Sequence, residues 1–356
     1  MKKIGIITIH SDLNYGAALQ AYALNRVIRE KGYSSEIINY VKIPNHPPHY
    51  PFPINIVFWV MNRPRFLRFR NFLKNSISAR RWNSVEELMN GFNEGYDVII
   101  SGSDQVWNPL CGGLNDQINP CYYLAFADHQ RYKKVAYASS LGSYRFNEEE
   151  LKVVKPWFEE YDHLSTREQA GKEHLEAFLD KNVRVVLDPT LLLNHSDWMT
   201  VASPVNIKDK YVLVYYFNER DEVVNIARKI ANKYGYKVAL ITNMPHHYKG
   251  VDINIRHVGP AQFLWLIDNA SYIVTNSFHG TAFAVNFNRP FISVIKRNSP
   301  QRAQTLLNNV GIPERLLTDE KYLDALTDDI DWDLVNGKLN ELRKDSLDYL
   351  FNAIEF

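Results

Sequence analysis

Short apolar runs alternate with amphipathic stretches along this chain, and the alternation predicts strands and helices in βαβ order. Lys3 to Ile9 is an apolar run that stops at the polar loop His10 to Tyr15. Gly16 through Lys31 then carries Leu19, Tyr22, Ala23 and Val27 on one helical face and ends at Gly32, a residue suited to a helix C-terminus. Ser35 to Val41 returns as a strand, so the segment is a βαβ unit with a parallel sheet and a right-handed crossover. The same reading predicts strands at Val98 to Ser101, Val135 to Ser139 and Val183 to Leu187, with helices at Val85 to Phe92, Glu148 to Glu160 and Glu168 to Leu179. A second series begins with the strand Tyr211 to Tyr216. It continues through a helix at Glu222 to Tyr234, a strand at Lys237 to Ile241, a helix at Pro260 to Asn269, and strands ending at Val274 and Ile295.

Between the two series, Asn194 to Lys210 is polar, holds Pro204 and has no period, which places a domain boundary there. The expected fold class is α/β, with two tandem doubly wound Rossmann-like domains, residues 1–195 and 196–330, facing a cleft lined by the carboxyl ends of both sheets. Residues 331–356 have Leu334, Leu339, Leu342, Leu347, Leu350 and Ile354 near helical spacing, and this helix is expected to cross back onto the N-terminal domain. A length of 356 residues agrees with two domains at about 150 residues each.

Composition narrows the function classes. A net charge of +1 argues against a large nucleic-acid footprint. Cys111 and Cys121 supply neither a disulfide framework nor a zinc quartet, and a reducing cytoplasm is the expected setting. The basic start Met1-Lys2-Lys3 is not read as a signal peptide, because His10, Ser11 and Asp12 cut the apolar run short. No metal motif is present: there is no H-E-x-x-H, His246-His247 is an adjacent pair whose side chains diverge, and Asp328-Asp329-Ile330-Asp331 reads as a solvated turn. The segment Ile54 to Asn75 interleaves Phe58, Trp59, Phe66, Leu67, Phe69 and Phe72 with Arg63, Arg65, Arg68 and Arg70. It reads either as a helix packed on its own domain with snorkelling arginines or as a peripheral contact with an anionic membrane surface.

Four polar knots interrupt the apolar pattern where a strand hands over to the next element, the place where open α/β sheets bind ligands. In Val274-Thr275-Asn276-Ser277-Phe278-His279-Gly280-Thr281, the histidine stands at a helix start whose amides and dipole favour an anion, so proton transfer on an anionic substrate is one reading. A histidine that merely caps the strand is the other. His10 to Gly16 occupies the position of a phosphate turn but is neither G-x-G-x-x-G nor a Walker loop, leaving Asn14, Tyr15 and Gly16 to meet a sugar or an anion, or simply to cap the helix. Ser101 to Asn108 offers Ser103 and Asp104, the latter beside Trp107, which suits a carboxylate on a sugar hydroxyl with an indole on the ring face. An ordinary surface turn competes with it. Leu164 to Glu168 precedes a helix with Ser165 or Thr166 as expected N-cap, and Arg167 is either an anion-binding fork or half of a salt bridge. Asp188, in Asp188-Pro189-Thr190, reads as a turn cap and as a candidate base.

Taken together, Asn14-Tyr15-Gly16-Ala17-Ala18-Leu19-Gln20, Ser101 to Trp107, Ser165-Thr166-Arg167-Glu168 and Thr275 to Gly280 resemble the polysaccharide pyruvyl transferase family in order and spacing. The resemblance implies a GT-B-like fold and transfer of a pyruvyl group from phosphoenolpyruvate to sugar hydroxyls of a cell-surface glycan precursor, free or lipid-linked, giving a ketal and phosphate. It implies no cofactor, phosphoenolpyruvate being the donor substrate; the expected location stays the cytoplasm, with peripheral contact at the inner membrane face as the alternative that the segment Ile54 to Asn75 leaves open. Within that chemistry Arg167 and then Lys296 would hold the donor's anions, and His279 would act as general acid. Asn276, Ser277, Gly280 and Thr281 would cradle the phosphate, and the acceptor would meet Asn14, Tyr15 and Asp104, with Asp104 or His10 taking the hydroxyl proton. Some relatives carry arginine two residues before the histidine, where this chain has Ser277. A GT-B glycosyltransferase using a nucleotide sugar and a non-catalytic glycan-binding relative are the alternative readings.

Overall fold

The structure, a computed structural model, describes residues 1–41, 54–113, 117–217, 219–244, 246, 248–295, 301–320, 323 and 329–356, with the side chains of 54–59 left aside. The strands are β1 Lys3–Ile7, β2 Ser34–Tyr40, β3 Ile77–Trp82, β4 Val98–Ser101, β5 Lys133–Ala136, β6 Leu164–Thr166, β7 Val183–Val185, β8 Tyr211–Tyr215, β9 Lys237–Ile241, β10 Ile253–Ile255, β11 Tyr272–Thr275, β12 Phe291–Val294 and β13 Leu316–Leu317. The helices are α1 Tyr15–Glu30, α2 Ile54–Leu73, α3 Val85–Gly91, α4 Glu148–Glu159, α5 Gln169–Glu176, α6 His195–Met199, α7 Arg220–Tyr234, α8 Pro260–Asp268, α9 Phe278–Asn286, α10 Gln301–Val310 and α11 Trp332–Glu355.

The chain divides into two compact units. One comprises Met1–Tyr50, Leu73–Leu192 and Leu342–Phe356; the other comprises Pro51–Phe72 and Leu193–Glu341. Helix α2 therefore groups with the second unit although its neighbours in sequence belong to the first. The end of α11 is pinned within the first unit. Ser346 Oγ accepts from Leu187 N at 2.9 Å, Tyr349 Oη donates to Ala136 O at 3.0 Å, and Arg343 Nε donates to Leu191 O at 2.7 Å.

In the first unit the sheet runs β3-β2-β1-β4-β5, all parallel, and isolated bridges Val135–His163 and Ser139–Thr166 continue it into the parallel pair β6-β7. Strand order reverses between β1 and β4, so the loops leaving their carboxyl ends diverge and open a crevice. β1 and β4 are almost wholly buried because covering helices leave no polar face, which is why their sequences KIGII and VIIS read as continuous apolar runs. The second unit repeats the plan as β10-β9-β8-β11-β12-β13, again parallel, with its reversal between β8 and β11. Strand β3 is the one long strand the apolar pattern missed. Its central residues Ala79, Arg80 and Arg81 are exposed at the sheet edge, so alternation is lost there.

Candidate active site

At the crevice of the first unit, a chain of hydrogen bonds joins the carboxyl ends of several strands. Gln20 Nε2, from α1, donates to Thr8 Oγ1 at 2.9 Å, and Thr8 Oγ1 donates to Ser103 O at 2.7 Å. Ser103 Oγ donates to Asp188 Oδ2 at 3.0 Å, and Arg167 Nη1 donates to the same oxygen. Asp188 Oδ1 accepts from Thr190 N at 3.0 Å and from Thr190 Oγ1 at 2.7 Å, capping the short 3₁₀ turn Pro189–Leu191. Arg167 Nη2 stands 3.5 Å from Asp104 Oδ1, so one buried guanidinium lies between two carboxylates. Its fork does not face open solvent as a ready anion site. Burial disfavours its charge, and the two carboxylates more than restore it, raising its pKa.

Asp104 stands in a left-handed backbone conformation, φ 76°, in the loop that leaves β4. A non-glycine residue there stores strain, and such strain concentrates at functional sites. Its Oδ1 accepts from Gln105 N at 2.9 Å, which holds the carboxylate against its own turn. Trp107, expected to stack on a sugar, is fully buried: its Nε1 donates to Tyr122 O at 3.2 Å and its ring packs edge-on against Phe158, so the indole is core. Asn14 is the N-cap of α1, its Oδ1 accepting from Ala17 N at 3.3 Å, while Tyr15 and Gly16 are buried in the first turn. Ser165 and Thr166 lie in β6 and are not caps; Glu168 occupies the N-cap of α5 without a side-chain cap bond. The Glu168 carboxylate instead accepts from Ser140 Oγ, Leu141 N and Gly142 N, fastening the loop after β5.

His10 lies just beyond β1, buried, with Nδ1 3.0 Å from Thr8 O. A carbonyl can only accept, so Nδ1 carries the proton of the neutral ring and Nε2 is left as the basic nitrogen. Burial pushes the imidazole pKa down, outweighing the opposing pulls of the Thr8 carbonyl, Asn39 and Asp12.

The crevice of the second unit is built around β11 and α9. Thr275 Oγ1 donates to Tyr215 O at 2.6 Å and accepts from Ser277 N at 3.1 Å, while Asn276 Oδ1 accepts from Phe217 N at 2.9 Å. These bonds lock the loops after β8 and β11 together at the reversal point. Ser277 N-caps α9 without a side-chain bond, which leaves first-turn amides unclaimed by the cap side chain. His279 is the second residue of α9, buried, its ring 5.2 Å from that of Phe278. Gly280 sits so close to β11 that a Cβ there would lie 2.3 Å from Thr275 Oγ1. The Thr281 hydroxyl is engaged by Ser277 O at 3.2 Å and Ser293 Oγ at 2.8 Å, so it ties α9 to β12 and is not directed at a ligand.

Sequence reasoning missed Thr8, Phe217 and Arg302, the last lying over the Phe278 ring at 5.7 Å. No local motif marks them, since each is recruited by the meeting of strands distant in sequence. The expected donor cation Lys296, together with His247 and Asp328, lies outside the described residues.

Two parallel doubly wound units, each with a polar knot at its strand reversal, are the layout of the GT-B fold. Solved structures of that fold match nearly the whole chain. A UDP-GlcNAc 2-epimerase from Methanocaldococcus jannaschii is 13% identical with a TM-score of 0.55, covering 96% of this chain and 92% of that one. S. aureus MnaA, in a UDP co-structure, is 14% identical with a TM-score of 0.56, covering 96% and 91%. The UDP-GlcNAc 2-epimerase of Neisseria meningitidis bound to UDP-GlcNAc is 11% identical with a TM-score of 0.51, covering 99% and 100%. No curated protein matches this chain significantly. The chain belongs to the polysaccharide pyruvyl transferase family, whose model matches residues 14–298.

Proposed function

We propose that this protein moves the pyruvyl group of phosphoenolpyruvate onto two hydroxyls of a sugar in a cell-surface glycan precursor, forming a cyclic ketal and releasing phosphate. The observation that carries this reading is the position of Asn276 to His279 at the strand reversal of the second unit, in a chain of this family. A helix start with amides unclaimed by its cap suits the phosphate and carboxylate of the donor. His279 delivers a proton to the enol methylene. The resulting electron-poor carbon takes the oxygen of one sugar hydroxyl, the phosphate leaves with the C–O bond electrons, and the second hydroxyl closes the ketal. Two hydroxyl protons are released; they balance the one gained by the methyl group and the one taken up by phosphate.

The acceptor hydroxyls are assigned to the first unit. Asp104, strained and beside Arg167, or His10 through Nε2, takes the first hydroxyl proton. Arg167 is assigned to holding Asp104 in place, because its charge is already engaged by two carboxylates; the donor's anions are assigned to the start of α9. A nucleotide-sugar enzyme is the second reading, favoured by the fold shared with the UDP-GlcNAc 2-epimerases. The decisive assay follows phosphate release from phosphoenolpyruvate with a panel of free and lipid-linked glycans, beside consumption of UDP-sugars. Acceptor-dependent release with an acid-labile mass gain on the glycan, lost in His279→Ala, supports the proposal. Turnover of a UDP-sugar alone overturns it.

A further inference from the structure

Helix α2 buries Phe69 and Leu73 yet also exposes apolar side chains on its outer arc. Going round the helix, Arg65 and Phe69 are buried, the guanidinium lying 5.2 Å from the Phe69 ring, while the opposite arc exposes Val60, Phe66 and Leu67 at 56%, 45% and 36%. The same exposed arc carries Arg63 and Arg70, while Arg68 turns its guanidinium to His257 O at 2.5 Å. Apolar side chains and arginines thus share one solvent-facing surface, whereas an ordinary surface helix sends its apolar residues inward. Charge around it is one-sided. Residues 37–85 contain eight Lys or Arg and no Asp or Glu, in a chain whose total net charge is only +1, so the remainder is net acidic. No helix among the described residues is long and apolar enough to cross a membrane.

We propose that the exposed arc of α2 docks this protein on an anionic lipid bilayer, with Phe66 and Leu67 entering the headgroup boundary and Arg63 and Arg70 pairing with lipid phosphates. The occupant follows from charge complementarity joined to apolar exposure. A soluble polyanion satisfies the arginines but leaves the exposed rings and aliphatic groups in water, and a neutral bilayer does the reverse. The inference rests on α2 alone and stands apart from the pyruvyl-transfer reading.

The test is co-sedimentation of the full chain with phosphatidylcholine vesicles, with and without phosphatidylglycerol, across a salt series. The expected result is pelleting with the phosphatidylglycerol vesicles alone, with release as salt rises. In R63E and R70E each reversal weakens partitioning by at least about fivefold, the contribution of one basic side chain near an anionic surface. F66S/L67S weakens it while leaving the salt dependence in place. These positions are exposed, so unchanged melting curves verify the fold, and the salt series on the unaltered protein needs no variant. No pelleting, equal pelleting on neutral vesicles, or binding indifferent to both salt and R63E/R70E overturns the proposal. So does equal affinity for heparin that F66S/L67S leaves untouched, with no vesicle binding.

Discussion

Arg167 donates through Nη1 to Asp188 Oδ2 where neither side chain meets solvent, their exposures being 1% and 0%. The pair joins the loop after β6 to the loop after β7, and Ser103 ties both to β4. Removing one partner of such a pair strands a buried charge. Arg167→Met is expected to cost about 3–5 kcal/mol of unfolding free energy, measured by chemical denaturation. Arg167→Lys restores only part of it, since a single ammonium cannot reach both Asp104 and Asp188 as the planar fork does. A loss below about 1 kcal/mol in Arg167→Met would show that water compensates the carboxylates and that the cluster does not organise the crevice.

The backbone strain at Asp104 separates its structural role from its chemical one. Asp104→Gly and Asp104→Ala both lose the bond to Gln105 N, but only glycine relaxes at φ 76°. Glycine should therefore be the more stable of the two by about 1 kcal/mol, read from thermal melts. Asp104→Asn keeps the shape and tolerates the left-handed conformation. It should fold like the parent while losing at least about tenfold in kcat/KM, if the carboxylate handles the acceptor proton. An Asn variant with full activity would move that role to His10.

Much of the fold was legible because parallel strands buried on both faces write themselves as short apolar runs, and β1, β4, β8 and β11 are such runs. The knots at Asp104 and His279 were legible because each follows such a run, whereas the strand order that makes them reversal points comes from pairings distant in sequence. What could not be read is how a side chain divides its bonds. Trp107 beside Asp104 suits a sugar platform in sequence, yet the core takes the indole, and of the two readings of Arg167 the salt bridge holds, with a partner, Asp188, 21 residues away that no local pattern names. Strands β6 and β13, with 3 and 2 residues, are too short to leave a period, so Ser165 reads as a cap in sequence although it lies in β6. The grouping of α2 with the second unit has no local sequence signal at all.

Acid should destabilise the protein through its histidines. Burial is the leading cause that lowers the pKa of His10, His163, His174 and His257 below the ordinary 6.5, so the folded state binds fewer protons than the unfolded chain as pH falls through that value. Their contribution is complete above 6.5 and is lost as the pH drops from there toward the depressed folded values. Melting temperatures measured from roughly pH 8 down to roughly pH 5 should be flat at first and then decline. His10→Gln should make the decline shallower. A melting temperature that rises on acidification through this window would contradict the lowered pKa of these rings.

Gly280 and Thr275 set how closely α9 approaches β11, and hence where His279 stands. A Cβ at position 280 meets Thr275 Oγ1 at 2.3 Å, Cβ at 2.9 Å and Cγ2 at 3.0 Å, all parts of a side chain held by bonds to Tyr215 O and Ser277 N. Thr275 cannot swing away without breaking both. Gly280→Ala is therefore expected to cost about 1–3 kcal/mol as an overpacked contact, despite alanine's better helix propensity. Thr275→Ala alone also destabilises, by losing the two bonds, but it removes the nearest obstructing atom, Oγ1, and Cγ2, leaving only the Cβ contact at 2.9 Å. The double variant should be more stable than the sum of the single losses predicts, a favourable coupling measured by a double-mutant cycle. Catalysis need not follow stability here. Both variants displace the loop from Asn276 to His279, so under the pyruvyl-transfer reading the double variant regains its fold and stays slow, with kcat reduced more than KM. Recovery of full activity along with the fold would show that the start of α9 tolerates movement, and would remove the second-unit crevice from the reacting centre.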